Sequence, residues 1–150
     1  MKLIKPTVEI IKQEQEPELI GIYRQIEYAG RICYKSSNKI TPDSAKPFVD
    51  RMVKSGHGAM LEHGTVYLKI TYKNTDFTTL CMFYGKNKYS VLNHSEDNQI
   101  YYITTNYRVL VENNHLSDLK YLCEPTEFHE RRVTVHFVCD RGVSHKEFVA

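Results

Sequence analysis

Gly56-His57-Gly58-Ala59-Met60-Leu61-Glu62-His63-Gly64-Thr65-Val66-Tyr67-Leu68-Lys69 is the stretch from which the rest of the chain is read. It sets two histidines, a glutamate and three glycines within nine residues, Gly56 to Gly64, and then turns at once into a β-branched run. Val66, Leu68 and Ile70 alternate there with Tyr67, Lys69 and Thr71, which predicts a strand over 65–72. Such a join puts polar side chains and bare backbone at the mouth of a sheet. Glycine permits positive φ or close approach of a ligand to the main chain. Histidine titrates near neutral pH.

Working outward, Thr41-Pro42-Asp43-Ser44 opens a helix, with Thr41 as cap and Pro42 at the first helical position. Ala45, Phe48, Val49, Met52 and Val53 form its apolar stripe, and Gly56 is the expected C-cap. An earlier helix starts at Pro17 and carries Leu19, Ile22, Tyr23, Ile26, Tyr28 and Ala29 at spacings of three and four. Gly30 either ends it or gives close packing, and Arg31–Tyr34 is a short exit. Residues 2–12 read as an edge strand because of Pro6.

Downstream, residues 77–84 are expected as a second strand, 85–97 as loop and 99–105 as strand. Asn106 can cap a helix over 107–112, and a short helix follows over 116–122. Residues 133–139 alternate again as a strand, and Asp140-Arg141-Gly142-Val143-Ser144-His145 turns from it into a helix. The fold class is α+β, with helices packed on a mostly antiparallel sheet in one domain over 1–150.

Hydrophobic content of 41% and charged content of 25% over 150 residues describe an ordinary globular chain able to bury a core. A net charge of +2 with no Lys/Arg block argues against nucleic acid and leaves room for a small anionic substrate. No apolar run approaches the length of about 18 residues needed to span a membrane, and no signal peptide is expected. Cys33, Cys81, Cys123 and Cys139 form no C-x-x-C pair, so free thiols and a cytoplasmic setting are expected.

Three chemistries compete at the first junction. His57, Glu62 and His63 are acceptable zinc ligands. Their spacing, H-x-x-x-x-E-H, is neither H-E-x-x-H nor H-x-x-E-H, and the glycines oppose a continuous helix. A purely structural role would leave the histidines as satisfied hydrogen-bonding groups and Glu62 paired with a lysine or a backbone amide. In a ligand pocket, His57 would position a ligand ring, Gly58 and Ala59 would admit it to the main chain, and Glu62 and His63 would orient the site from behind. The second junction favours the pocket. Arg141 and His145 lie four apart on one helix face, and arginine suits phosphate through its bidentate fork. The plainer alternative for Arg141 is a surface ion pair. No nucleophilic-cysteine, P-loop, Rossmann or zinc-deaminase signature is present.

Gly56-His57-x-x-x-x-Glu62-His63 running into a strand resembles the flavin-dependent thymidylate synthases, the ThyX family. Arg31-Ile32-Cys33-Tyr34 resembles the family's Ala-Arg-x-Ser at the end of the preceding helix. Arg141-Gly142-Val143-Ser144-His145 after a strand resembles the approach to the family signature Arg-His-Arg-x-x-Ser-x-Asn-x-x-Ser-x-Arg. The likeness follows the chain in order and is loose over 73–132.

The resemblance implies a homotetramer of mixed α/β subunits that methylates dUMP to dTMP. Methylene-tetrahydrofolate would be the carbon donor, FAD the hydride carrier and NADPH the reductant. It also assigns residues. His57 matches the family histidine near flavin and substrate, and Ala59 a flavin-contact position. Cys33 stands at a serine position near the flavin, and Glu147 lies close to a position that contacts dUMP. Arg31, Glu62, His63, Arg141 and His145 would support them. The signature is expected at or just after Ala150, where the sequence stops, so impaired turnover is expected. The alternative is a non-catalytic ThyX-like oligomeric binding or regulatory module. Metal-dependent hydrolysis through His57, Glu62 and His63 is the third reading.

Overall fold

A computed structural model of the chain describes residues 5–15, 19–73, 77–97 and 99–140. They fall into two compact units. The smaller holds strands β1 (Thr7–Ile11) and β5 (Thr134–Val138), paired antiparallel with Thr7 opposite Val138 and Ile11 opposite Thr134. Val8, Ile10, Val135 and Phe137 share one exposed face of this ribbon, because directly opposed residues point the same way.

The larger unit, Gln13–Arg132, contains the junction. Its sheet is antiparallel in the order β2 (Thr65–Thr71), β4 (Ile100–Asn106), β3 (Val91–Ser95). Thr65 pairs with Asn106 and Thr71 with Ile100. Val66, Leu68 and Ile70 are fully buried on the face that alternation assigns them. Tyr67 on the other face is buried too, because residues near 122–132 cross it. Cys123 N–H donates to Tyr67 O at 3.0 Å, Leu68 bridges to Leu122, and the His129 ring meets the Tyr67 ring edge-on at 5.3 Å. This strap also covers the open edge of β2.

Helices α1 (Ile20–Cys33), α2 (Ala45–Lys54), α4 (Phe77–Lys86) and α5 (Tyr107–Glu112) surround a core built from Ile22, Ile26, Phe48, Val49, Leu80, Tyr84 and Leu110 with the sheet's Ile103. The architecture is thus α+β, with helices and small antiparallel sheets. Among the described residues, no helix is long and apolar enough to cross a membrane.

Four expectations need correction, the first being the start of α2, which begins at Ala45 with Ser44 at the N-cap and not at Pro42 with Thr41. Residues 77–84 form α4, not a strand: Leu80 and Tyr84, four apart, both reach the core. A short apolar run cannot separate the two periods by itself. The expected loop over 85–97 contains β3. It is an edge strand of mostly polar residues held by its backbone, so it carries no apolar alternation. Arg31–Cys33 belong to α1, which runs on past Gly30; the bare Gly30 Cα lies against the Phe48 ring. The expected start at Pro17 and the helix after Asp140 lie outside the described residues. Asn106 does cap α5, its side chain accepting from Val109 N–H at 3.0 Å.

Two glycines shape the junction. Gly56 has φ of 71°, and its N–H donates to Val53 O while His57 N–H donates to Met52 O. This is the Schellman closure of α2, which needs a left-handed residue just past the helix. It turns the chain so that His57 leads into the short helix α3 (Gly58–Leu61). Gly64 is demanded by space: a Cβ there would sit 2.6 Å from Ile26 Cδ1 and 2.8 Å from Ile22 Cγ2. Gly64→Ala should therefore cost about 1–3 kcal/mol through overpacking. Urea unfolding measures it, and an unchanged midpoint would show that α1 does not press on the junction.

Candidate functional site

The Schellman turn leaves His57 exposed at the end of α2, while Tyr34 stands at the end of α1. His57 Nδ1 and Tyr34 Oη are 2.8 Å apart, and their rings lie at 26° with centroids 6.3 Å apart. The two rings flank an open groove of about 310 Å³, lined also by Gly58, Ala59, Met60 and Arg108. That volume is at the lower end of the ~300–1,000 Å³ of small-molecule sites.

Arg108 is the groove's cation. Its Nη1 donates to Glu62 Oε1 at 2.6 Å, and its Nε to Glu112 Oε1 at 2.7 Å. These bonds raise the guanidinium pKa still further. Gly58 lies so close that a Cβ would come within 2.7 Å of Arg108 Nε. Glycine at this position lets α3 meet the arginine directly. The groove thus offers two aromatic rings, main chain at Gly58 and Ala59, and one guanidinium.

His57 and Ala59 both line the groove, and Glu62 meets it through Arg108. Cys33 is exposed at the end of α1, and its neighbour Tyr34, not Cys33, lines the groove. Arg31 is buried instead against Glu27, with Nη2 3.0 Å from Glu27 Oε1 and the guanidinium 4.8 Å from the Phe48 ring centroid. It supports the end of α1 from the interior. His63 is half-buried, and burial lowers its pKa against the opposing pull of Glu62. Arg141, His145 and Glu147 lie outside the described residues. Among the described residues, no group of three His, Cys, Asp or Glu is placed to hold a metal ion.

Tyr34 and Arg108 were not foreseen. The i,i+4 spacing of Arg108 and Glu112 signals their pairing. Nothing in the sequence signals Glu62, 46 positions away. No family model, curated protein or solved structure matches the chain.

Away from the groove, His129 is buried beneath the strap and holds it to the sheet. Its Nδ1 accepts from Thr126 N–H at 3.0 Å, which places the proton on Nε2, 3.1 Å from Leu68 O. Burial, aided by Arg131 and Lys69, outweighs the Leu68 carbonyl and lowers its pKa. The folded pKa is below the unfolded value, so the unfolded state binds more protons between the two. Stability is therefore full above the unfolded pKa of about 6.5 and falls as pH drops through it toward the folded value. Urea midpoints between pH 8 and pH 5 should fall on acidification, with a shallower slope in His129→Gln. An equal slope in that variant would remove His129 from the account.

Proposed function

We propose that this chain is a ThyX-like domain, binding flavin and dUMP for the methylation of dUMP to dTMP. Methylene-tetrahydrofolate, FAD and NADPH are the co-reactants of that reading. The observation that carries it is the His57–Tyr34 pair, hydrogen-bonded at 2.8 Å, beside a groove lined also by Gly58 and Ala59. A planar, hydrogen-bonding ring is what such a groove accommodates.

The residues fit one ring system of a flavin and not a whole dinucleotide, given about 310 Å³ of open space. His57 would hydrogen-bond the ring or the substrate beside it, while Tyr34 fixes the imidazole through Nδ1. Gly58 and Ala59 would meet the ring with backbone, a contact that the alanine side chain does not prevent. Arg108 would supply positive charge, tempered by its two carboxylates. When bound, the flavin would supply hydride transfer; the protein's share is to orient and to exclude water.

In this reading the remaining contacts come from other copies in a homotetramer. The apolar face of Val8, Ile10, Val135 and Phe137 is consistent with association. That face equally suits a non-catalytic oligomeric module.

Titration of the purified chain with FAD, with and without dUMP, tests the proposal by visible spectrum. FAD should bind more tightly when dUMP is present, and His57→Ala should weaken it about tenfold or more, as loss of a hydrogen bond to a charged or ring group allows. Flavin affinity unchanged in His57→Ala would overturn the assignment of the groove.

A further inference from the structure

Arg108 also forms part of a second hollow, of about 300 Å³, which it lines with Glu62, Asn87, Asn106, Glu112 and Asn113. The polar side chains there share one arrangement: the protein holds one end of each and leaves the other. Asn87 Oδ1 accepts from Tyr89 N–H at 2.9 Å and from Ser90 Oγ at 3.1 Å, leaving Nδ2. Asn106, only 6% exposed, uses Oδ1 to cap α5 and leaves Nδ2. Asn113 donates Nδ2 to Val109 O at 2.8 Å and leaves Oδ1. Glu62 and Glu112 each spend one oxygen on Arg108, which keeps Nη2. These remaining ends have no partner among the described residues.

The backbone bonds fix which way each amide points. The hollow therefore presents a set of donors, the Nδ2 of Asn87 and Asn106 and the Nη2 of Arg108, beside three acceptors, Asn113 Oδ1 and one oxygen from each glutamate. The groups are already immobilised, so little further ordering opposes binding. Two carboxylates against one guanidinium disfavour an anion. A simple cation gains little, because both carboxylates already share Arg108. A hydroxyl both donates and accepts, and several on one ring match a site that holds donors and acceptors together. Tyr89, half exposed at the rim, adds an apolar face for ring C–H groups.

We propose that this hollow binds a neutral, hydroxyl-rich sugar ring, the ribose of a nucleoside or a hexose. The site is separate from the His57 groove except for the shared Arg108, and it does not rest on the thymidylate reading.

Amide NMR of the full chain, titrated with uridine and separately with methyl glucoside, tests it. At least one should shift the side-chain amide signals of Asn87, Asn106 and Asn113 saturably, and which one does identifies the source of the ring. Asn87→Asp keeps the Oδ1 acceptor that holds the turn but turns the free donor into a charged acceptor. It should weaken that binding about tenfold, the effect of losing one hydrogen bond to a fixed group. Asn106→Asp, which remains a competent helix cap, should do the same. His57→Ala should leave it unchanged. No saturable shift with either compound, affinity untouched in both aspartate variants, or binding abolished by His57→Ala would each overturn the proposal.

Discussion

Glu27 is 1% exposed, and its charge is tolerated only because both of its oxygens are taken. Oε1 faces Arg31 Nε at 3.1 Å and Nη2 at 3.0 Å, and Oε2 accepts from Ser44 Oγ at 2.9 Å. Removing one member of such a buried pair typically costs about 3–5 kcal/mol, because the other charge is left uncompensated. The geometric consequence matters more here. Glu27 and Arg31 belong to α1, and Ser44 immediately precedes α2. The triad therefore fixes one helix against the start of the next. The same end of α1 delivers Tyr34 and the far end of α2 delivers His57, so the 2.8 Å contact between them depends on that fixing.

The strongest local patterns in the sequence correspond to the parts of the fold that local chemistry controls. The stripe of Phe48, Val49 and Met52 and the left-handed Gly56 define α2 and its end. The alternation of Val66, Leu68 and Ile70 defines β2, and Asn106 marks the start of α5. Where periodicity is ambiguous the pattern misleads: Thr78 and Thr79 are β-branched, yet Leu80 and Tyr84 bury themselves on a helix. Where backbone pairing alone makes the element, as in β3, there was no pattern to read. Even α2 begins at Ala45, not at Pro42. Ser44 takes the N-cap position in place of Thr41, and its hydroxyl goes to Glu27 instead of to a helix N–H.

The site was legible to the same degree. His57, Ala59 and Glu62 lie within six residues of sequence, on either side of the short helix α3 and within it. Arg108 reaches them only because β4 runs antiparallel to β2, which brings the start of α5 beside Gly64 through Tyr107 N–H donating to Gly64 O at 2.8 Å. Arg31, expected to support the site, instead pairs with the buried Glu27 and does not line the groove. The segment 73–132 supplies the arginine of the groove and most of the lining of the second hollow.

The most direct test of this account is the imidazole nitrogen NMR spectrum of His57 in Glu27→Gln, compared with the unaltered chain. Loss of the Glu27 charge should loosen α1 from α2, weaken the Tyr34 hydroxyl contact, and move the His57 Nδ1 signal toward the position it takes in Tyr34→Phe. If the variant stays folded and the Nδ1 signal does not move, the buried triad does not hold the two helix ends in place. The groove's geometry would then have another cause.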